Sequence, residues 1–109
     1  MKPICKTYPN GSKEWYLNGF LHREDGPAVE YVNGTKEWFI NGKYHRADGP
    51  AIEWSDGGKE WWLNGKLHKE DGPAIEYNNE FKEWYYHGKY IDCKNNQEFL
   101  RIAKLIVFL

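Results

Sequence analysis

The sequence has few of the residues that chemical catalysis uses. Its only serines are Ser12 and Ser55, and its only cysteines are Cys5 and Cys93. Neither serine has a histidine beside it in sequence, and no motif that would activate a thiol surrounds either cysteine. A Cys-x-x-Cys zinc pattern and a phosphate-binding glycine loop are also missing. The sequence therefore predicts a protein that is not an enzyme, with no catalytic residue, no metal and no cofactor.

An excess of one charge and long apolar runs are lacking too. The net charge is −1, which excludes the basic stripe that nucleic-acid-binding proteins carry. The first 13 residues have no apolar signal-peptide core. The apolar run at 105–109 is too short to cross a bilayer. We therefore expect an intracellular protein that binds neither nucleic acid nor membrane, with Cys5 and Cys93 as free thiols.

Aromatic residues, in contrast, are abundant and regularly placed. They make up 17% of the chain, although the mean hydropathy is −0.87. Four tryptophans recur every 23 residues, each after Lys-Glu: Trp15, Trp38, Trp61 and Trp84. A fixed period of this length is typical of stacked repeats. We predict a single domain, 1–109, with repeats at about 11–33, 34–56 and 57–79 and a partial repeat at 80–93.

Each copy contains the signals of a β-hairpin. Alternation places Trp15 and Leu17 on one side of a strand and Tyr16 on the other. Asn18-Gly19 is a strong signal for a two-residue turn, and Asn41-Gly42, Asn64-Gly65 and His87-Gly88 repeat it. The Asp-Gly-Pro segment that follows belongs at a turn or strand edge, because proline has no N–H.

A second turn in each copy sets the predicted strand register. If Asn33-Gly34 is also a two-residue turn, Val29 faces Trp38 and Tyr31 faces Lys36. In the next copy Asp56-Gly57 closes the hairpin, and the same register pairs Ile52 with Trp61 and Trp54 with Lys59. This register places Glu30 opposite Glu37, and like charges directly across two strands repel. Either basic side chains neutralise these carboxylates, or the predicted register is wrong by one residue. The basic residues available for that neutralisation are Arg23, Arg46 and Lys69.

The pattern changes at the C-terminal end. Asn95 and Glu98 can form a capping box, and Phe99, Ile102, Ala103 and Ile106 recur at helical spacing. We predict a helix at about 95–107 that covers one face of the sheet. The predicted fold class is mostly β: tandem 23-residue β-hairpin repeats in an extended, twisted antiparallel meander sheet, capped by one C-terminal α-helix.

These features resemble a known repeat family. The period, the Trp followed by Asn-Gly, and the Gly-Pro-Ala segment resemble a variant of the MORN repeat. The block His-(Arg/Lys)-x-Asp-Gly-Pro-Ala at 22–28, 45–51 and 68–74 and the helical tail at 97–109 resemble small repeat proteins of tailed bacteriophages and giant viruses. The chain has fewer glycines and more charges than usual MORN repeats, so the membrane roles proposed for that family are not carried over. The resemblance implies a viral accessory protein that binds a host factor, as counter-defence proteins do.

The candidate binding residues come from positions that differ between copies. The residue after each tryptophan points away from it and changes its ring, which forms an aromatic ladder of Tyr16, Phe39, Trp62 and Tyr85. If the helix covers the tryptophan face, this ladder is partly exposed and is an interaction site. If the helix covers the ladder, the tryptophan face is the exposed one, and the sequence leaves both options open. Further candidates are Phe20, Arg23, Arg46 and Lys69.

We expect two sets of recurring polar residues to have structural roles. The His, Arg/Lys and Asp columns that begin at His22 could hold metals or act as acid and base, but identical tandem copies favour a repeated hinge. The Glu columns that begin at Glu14 and Glu30 could bind cations. We expect them instead to form a solvated face with Lys and Arg pairs.

The leading functional hypothesis is a non-enzymatic, phage-encoded β-repeat protein in the host cell cytoplasm. It would bind and inhibit a host protein, such as a defence-system component, as a monomer or as a homodimer through the C-terminal helix. One alternative is a small-ligand binder that takes choline or carbohydrate on the aromatic ladder, or sequesters a nucleotide signal with Arg46 or Lys69 on phosphate. Another is a structural component of the virion or its assembly.

Overall fold

The structure is a computed structural model that describes residues 1–107 of the chain. Within that range it contains fourteen short strands followed by one helix, α1 (Asn96–Val107). The strands are β1 (Ile4–Thr7), β2 (Lys13–Leu17), β3 (Phe20–Leu21), β4 (Val29–Glu30), β5 (Lys36–Glu37), β6 (Phe39–Ile40), β7 (Lys43–Tyr44), β8 (Ile52–Glu53), β9 (Lys59–Glu60), β10 (Trp62–Leu63), β11 (Lys66–Leu67), β12 (Ile75–Tyr77), β13 (Phe81–Tyr86) and β14 (Lys89–Ile91).

The strands form an open antiparallel meander with side hairpins. The order across the largest sheet is β1-β2-β4-β5-β8-β9-β12-β13-β14, and β3 pairs with β2. Two separate hairpins are formed by β6 with β7 and by β10 with β11. The molecule is elongated, with extents of 46 × 30 × 17 Å. The predicted fold class, a mostly β protein of antiparallel hairpins with one C-terminal helix, is confirmed.

Each repeating tryptophan is the point where the chain changes its strand partner. Trp38 donates its N–H to the carbonyl of Ala51 at 2.7 Å, and its own carbonyl accepts the N–H of His45 at 3.1 Å. The first bond belongs to the main sheet and the second to the side hairpin of β6 and β7. The main-sheet pairing ends here because Pro50, next to Ala51, has no N–H to donate. The equivalent bonds recur in the neighbouring copies, at Trp15 and Trp61.

The Asn-Gly turns of the side hairpins have the predicted geometry. Asn18 and Gly19 both have positive φ, 53° and 81°, and Leu17 faces Phe20 across the turn. Positive φ at both central residues defines the two-residue turn that matches strand twist. The same conformation recurs at Asn41-Gly42, Asn64-Gly65 and His87-Gly88.

The predicted two-residue turn at Asn33-Gly34 is wrong, and the strand register shifts by one residue. Tyr31 donates to the carbonyl of Thr35 at 2.9 Å, which makes a three-residue loop with Gly34 at φ 95°. Asn33 does not have positive φ, and its side-chain oxygen accepts the N–H of Thr35 at 2.9 Å. A three-residue loop with a left-handed third residue is the next commonest hairpin connection.

The observed register removes the predicted repulsion. Val29 faces Glu37, and Glu30 faces Lys36, so opposite charges lie directly across the strands. The predicted pairs Val29–Trp38, Tyr31–Lys36 and Glu30–Glu37 do not form. The next copy has the same shift, with Ile52 opposite Glu60 and Glu53 opposite Lys59 in place of the predicted Ile52–Trp61 and Trp54–Lys59 pairs.

An additional strand precedes the predicted repeats. β1 pairs with β2, with Cys5 opposite Trp15 and Thr7 opposite Lys13. The loop between these strands is closed by a bond from the Tyr8 N–H to the Ser12 carbonyl at 2.9 Å, the same loop as at Tyr31. The array therefore begins with a partial copy that sequence analysis missed. Cys5 and Cys93 are both free.

The helix caps the last copy on its tryptophan side. Asn95 accepts the N–H of Glu98 at 2.9 Å, which confirms the predicted N-cap. Phe99 has no exposed surface and packs with Ala103 against Trp84 and Ile91. The alternative in which the helix covers the aromatic ladder is therefore wrong.

The predicted homodimer contact through the C-terminal helix falls partly on residues 108 and 109, which lie outside the described residues. Within residues 1–107, no helix has both the length and the apolar composition needed to cross a bilayer.

Candidate functional site

The sheet has two chemically different faces. The side that carries the repeating tryptophans, which we call the Trp face, also carries Leu17, Ile40 and, at its C-terminal end, α1. The opposite side, which we call the ladder face, carries the four predicted aromatic residues: Tyr16, Phe39, Trp62 and Tyr85. Strand alternation separates these two sets, and the contacts below agree with it.

Basic side chains cover the tryptophans of the full copies. The guanidinium carbon of Arg23 lies 3.9 Å from the ring centroid of Trp15. Arg23 also donates to the Asp25 carboxylate at 3.0 Å and to the Pro27 carbonyl at 3.1 Å. A cation at this distance from an indole face is attracted by the ring quadrupole. The Arg23 side chain therefore makes these contacts within its own copy.

The next two copies repeat this arrangement. The guanidinium carbon of Arg46 lies 3.8 Å from the centroid of Trp38, and Lys69 Nζ lies 3.8 Å from that of Trp61. Arg46 also donates to Asp48 at 3.2 Å. The predicted binding residues Arg23, Arg46 and Lys69 thus lie together on the Trp face, away from the aromatic ladder.

The Glu column that begins at Glu30 is paired with these cations. Arg23 Nη1 lies 3.9 Å from Glu30 Oε2, and Arg46 Nη1 lies 3.4 Å from Glu53 Oε1. Lysines of β5 and β9 face the same two glutamates across the strands. The expected face of paired charges is therefore present on this side of the sheet.

The histidine column links each copy to the next. His22 Nδ1 accepts the N–H of Asn41 at 3.0 Å, and His45 Nδ1 accepts that of Asn64 at 3.0 Å. Each acceptor holds the first residue of the following Asn-Gly turn. This arrangement agrees with a repeated structural hinge, in which the partner of each imidazole is a backbone N–H of the next copy.

One histidine cluster has the composition of a metal site. Ligand atoms of His68, Glu70 and His87 all lie within 4.8 Å of one another. However, His68 Nδ1 accepts the N–H of His87 at 2.7 Å, so its ring proton is on Nε2, which lies 2.7 Å from Glu70 Oε1. A metal bound to Nε2 would displace that proton and leave Nδ1 as a hydrogen-bond acceptor. A histidine that binds a metal through one nitrogen normally donates an N–H from the other.

The ring geometry of this cluster is equally unsuited to a metal. The imidazoles of His68 and His87 are stacked, with centroids 4.0 Å apart and planes 19° apart. Nitrogen lone pairs lie in the ring plane, so near-parallel stacked rings cannot both direct one at a common ion. We assign the cluster to hydrogen bonding between copies.

The ladder face carries a row of carboxylates between its aromatic side chains. In the first copy, Glu14 Oε1 accepts hydrogen bonds from the hydroxyls of Tyr8 and Tyr16, the latter at 2.8 Å. In the next copy, the hydroxyls of Tyr31 and Tyr44 lie 3.4 Å and 3.5 Å from the Glu37 carboxylate.

The third and fourth copies continue the row. Glu60 accepts from the indole N–H of Trp62 at 2.8 Å and from the Tyr77 hydroxyl at 2.7 Å. Glu83 accepts from the Tyr85 hydroxyl at 3.5 Å. We call the row formed by Glu14, Glu37, Glu60 and Glu83 the carboxylate stripe.

The carboxylate stripe differs from the Trp-face column in having no close ion pair among the described residues, although Lys6 of β1 faces Glu14 across the strands. Among the described residues, no Lys, Arg or His nitrogen lies within 4.0 Å of any of its four carboxylates. Aliphatic residues fill the strands between them: Val29 lies opposite both Glu14 and Glu37. The expectation that both Glu columns are laced with Lys and Arg is therefore wrong for this stripe.

Burial and hydrogen bonding alter the acidity of groups along the stripe. Burial raises the pKa of Glu37 above its usual value. The hydrogen bond to Glu14, with burial, raises the pKa of Tyr16 to about 12, and burial with the nearby Glu37 charge raises that of Tyr44 to about 12. These phenols stay protonated at neutral pH, so they act toward the carboxylates as donors.

The predicted ladder is one of two aromatic rows that flank the stripe. Tyr16, Trp62 and Tyr85 are half-buried, whereas Phe39 is only 8% exposed because it packs on Tyr44, with ring centroids 4.3 Å apart. Phe39 is therefore part of the core. Tyr44 also contacts Trp62, at 5.2 Å between centroids, so the row is continuous from the second copy to the third.

The second row lies along the three-residue loops and was missed by sequence analysis. It consists of Tyr8, Tyr31, Trp54 and Tyr77, and the rings of Trp54 and Tyr77 contact each other at 5.2 Å. The signal was present, because these four aromatic residues recur at the same 23-residue interval as the tryptophans. At the N-terminal end, Tyr8, Glu14, Val29 and Tyr31 line an open groove of about 440 Å³.

Phe20 has a different environment from the ladder. It is 58% exposed and lies on the Trp face, opposite Leu17. A Cβ placed on Gly42 would lie 2.9 Å from its ring, so Phe20 packs closely on the turn of the next copy. Lys43 occupies the same position against Gly65, which makes the contact a repeated feature of the array.

Ser12 and Cys93 carry groups that could act as nucleophiles, but their surroundings favour structural roles. The hydroxyl of Ser12 accepts the N–H of Val32 at 3.1 Å, which ties the first loop to the second. Burial raises the pKa of the Cys93 thiol, and this disfavours the reactive thiolate.

Comparison with known proteins identified no relative: no protein-family model, no curated protein and no solved structure matches this chain.

Proposed function

We propose that this chain is a non-enzymatic binding protein whose ladder face engages another protein. On the resemblance to phage and giant-virus repeat proteins, we further propose that it is a MORN-like viral accessory protein of the host cytoplasm. Its partner would be a host protein, such as a defence-system component that it inhibits.

The observation that carries this proposal is the unequal covering of the two faces. The Trp face is closed by α1 over Trp84 and by basic side chains over the other tryptophans. Among the described residues, no helix lies over the ladder face, and the only cation over one of its rings is Lys6, at 4.9 Å from the Tyr8 ring centroid. This face presents exposed rings such as Tyr31, at 43% exposure, and Tyr90, at 52%. Tyrosine and tryptophan are the residues that most often carry interface energy.

The experiment is affinity capture from host cell extract with a ladder-face variant. Tyr16→Ala, Trp62→Ala and Tyr85→Ala are combined, while Phe39 is retained because it is part of the core. We expect the wild-type protein to capture a host protein that the triple variant does not. The cost of removing central aromatic anchors is about 2 kcal/mol or more each, which abolishes capture at ordinary concentrations.

The matched control is Phe20→Ala, an exposed aromatic residue on the Trp face. Circular dichroism establishes that both variants are folded. The proposal fails if the triple variant captures the same host protein as the wild type. Loss of capture with Phe20→Ala alone would move the interface to the Trp face.

A small cationic ligand is a second candidate, supported by the groove at the N-terminal end of the ladder face. Tyr8 and Tyr31 line this groove together with Glu14, a combination of rings and carboxylate that suits a quaternary ammonium such as choline. A thermal-shift titration with choline tests it, since a ligand at about 100 times its Kd adds about 2.7 kcal/mol of stability. No shift with choline at high concentration rejects this candidate.

A further inference from the structure

The charge of the ladder face is complementary to a cationic partner. Its four glutamates accept hydrogen bonds only from neutral hydroxyl and indole groups, and none has a cation within 4.0 Å among the described residues. On the Trp face, in contrast, Glu30 and Glu53 each lie within 4.0 Å of an arginine and also face a lysine across the strands. Within the stripe only Glu14 faces a lysine, Lys6, across the strands, whereas aliphatic residues lie opposite the other three glutamates. A carboxylate held by neutral donors keeps its charge, so the stripe attracts positive groups from outside the chain.

The spacing of the stripe limits the conformation of such a partner. Successive glutamates are two strands apart, as the pairings of Val29 with both Glu14 and Glu37 show. With neighbouring strands about 4.8 Å apart, the carboxylates repeat every ~9.6 Å. A polyproline II segment advances about 3.1 Å per residue and has three residues per turn. Every third side chain therefore repeats at ~9.3 Å on one side of the segment, close to the spacing of the stripe.

Other regular conformations fit this spacing less well. In a β-strand, side chains on one side repeat at about 6.6 Å and then about 13 Å. An α-helix returns to the same side after seven residues, at about 10.5 Å. That difference of almost 1 Å per copy accumulates along the array.

The aromatic rows provide the apolar part of the recognition. In three copies an aromatic side chain from each row contacts the same glutamate: Tyr8 with Tyr16, Tyr31 with Tyr44, and Tyr77 with Trp62. Each of these three carboxylates therefore accepts hydrogen bonds from one aromatic side chain of each row. Aromatic-lined grooves bind polyproline II segments, and rings also pack on the aliphatic stems of lysine and arginine.

We propose that the ladder face binds an extended basic segment of a partner protein, in a polyproline II conformation with Lys or Arg at every third position. This inference rests on the proposed function, because it names the kind of segment that the binding face takes. The positive side chains pair with successive glutamates of the stripe, and the intervening residues pack on the two aromatic rows.

The test uses a fluorescent synthetic peptide of four Lys-Pro-Pro units and measures fluorescence anisotropy with the full chain. We expect saturable binding that weakens when the salt concentration rises from about 50 to 200 mM, because the Debye length shortens. A peptide of the same composition with lysine at every second position should bind at least about threefold more weakly. A lysine peptide with helical spacing of seven residues should also bind more weakly.

The variant is Glu37→Gln with Glu60→Gln. Glutamine has nearly the same shape as glutamate and keeps one acceptor oxygen at each site, and its NH2 group can donate to the tyrosine hydroxyl that bonded the second carboxylate oxygen. We expect affinity to fall about tenfold, or about threefold for each partly buried pair. The control is Asp25→Asn with Asp48→Asn, which changes the net charge equally at side chains that are 88% and 89% exposed on the Trp face. Its affinity should stay within about twofold of wild type.

Three results would overturn the inference: no binding of the Lys-Pro-Pro peptide at low salt, equal weakening in both charge variants, or tighter binding of a peptide with another spacing. Each would leave the proposed interface standing if the Tyr16, Trp62 and Tyr85 variant still fails to capture the host protein. Capture by that variant would instead overturn the interface itself, so the two failures are distinguishable.

Discussion

Replacement of Phe99 by alanine tests whether α1 stabilises the whole repeat array. Phe99 has no exposed surface and packs with Ala103 against Trp84 and Ile91 of the last copy. Truncation of a buried phenylalanine typically costs about 3–5 kcal/mol, from lost transfer energy and the cavity left behind. Since a domain of this size has a total stability of about 5–15 kcal/mol, the substitution removes a large share of it.

The assay is thermal unfolding followed by circular dichroism. A change of 1 kcal/mol shifts the Tm of a domain of about 100 residues by about 4 °C or more. Phe99→Ala should therefore lower the Tm by at least about 12 °C. The control is Leu100→Ala, one residue further along the same helix but 41% exposed, and it should lower the Tm by less than about 4 °C.

The reasoning is refuted if Phe99→Ala and Leu100→Ala unfold at the same temperature. That result would mean that α1 contributes no stability through the Trp84 contact. A two-step transition in Phe99→Ala alone would support the cap, because in repeat arrays loss of the end unit first releases its nearest neighbour.

Three further predictions test the links between copies and the carboxylate stripe. His68→Phe should lower the free energy of unfolding by about 1–3 kcal/mol, because it leaves the N–H of His87 without its acceptor. His45→Phe should cost less, since His45 is less buried, and equal costs in urea unfolding would contradict this ranking. Gly42→Ala and Gly19→Ala both place alanine at positive φ, 78° and 81°, at about 1–2 kcal/mol. Only Gly42→Ala brings a Cβ to 2.9 Å from Phe20, so it should be the more destabilising of the two, and the reverse order would refute the close packing. Glu37→Gln should stabilise the fold at neutral pH, because burial raises the folded-state pKa of Glu37 and so penalises its charged form. The stability that Glu37 contributes is fully present below its unfolded pKa and is lost as pH rises through the folded pKa. The Tm advantage of the variant should therefore shrink as pH falls and disappear below the unfolded pKa of about 4.3, and an advantage independent of pH would contradict this assignment.

Local signals in the sequence were sufficient for most of the fold. The Asn-Gly pairs predicted the side-hairpin turns, because positive φ at two successive residues is determined by the residues themselves. Asn95 predicted the start of the helix, because an asparagine side chain at the N-cap accepts an unpaired backbone N–H of the first turn. Alternation within β2 correctly separated Trp15 from Tyr16, since a strand places successive side chains on opposite faces.

The second turn shows where local signals fail. Asn33-Gly34 permits both a two-residue and a three-residue loop, and only the second places Glu30 against Lys36. The choice depends on pairing energy across the strands and on the hydrogen bond that the Thr35 N–H donates to the Asn33 side chain, which the dipeptide does not reveal. The resulting shift of one residue changed every predicted cross-strand pair.

Only part of the candidate site could be predicted from the sequence. The four ladder residues were placed on one face, but the sequence could not tell that Phe39 is buried under Tyr44, or that Tyr8 and Tyr31 form a second row. The stripe was expected to be paired with basic side chains. The stripe has no arginine partner because Arg23 and Arg46 lie over tryptophans on the other side of the sheet.

The sequence by itself determined the repeat, the hairpins, the helix and the two sets of side chains that alternate along each strand, because these depend on backbone preferences over a few residues. Only the tertiary structure decided which face is covered, which carboxylates have cations and which aromatic residues are accessible. These properties depend on contacts between residues in different copies or at opposite ends of a copy, such as Phe99 with Trp84 and Arg23 with Trp15. The energy of such contacts exists only once the strands have been brought together.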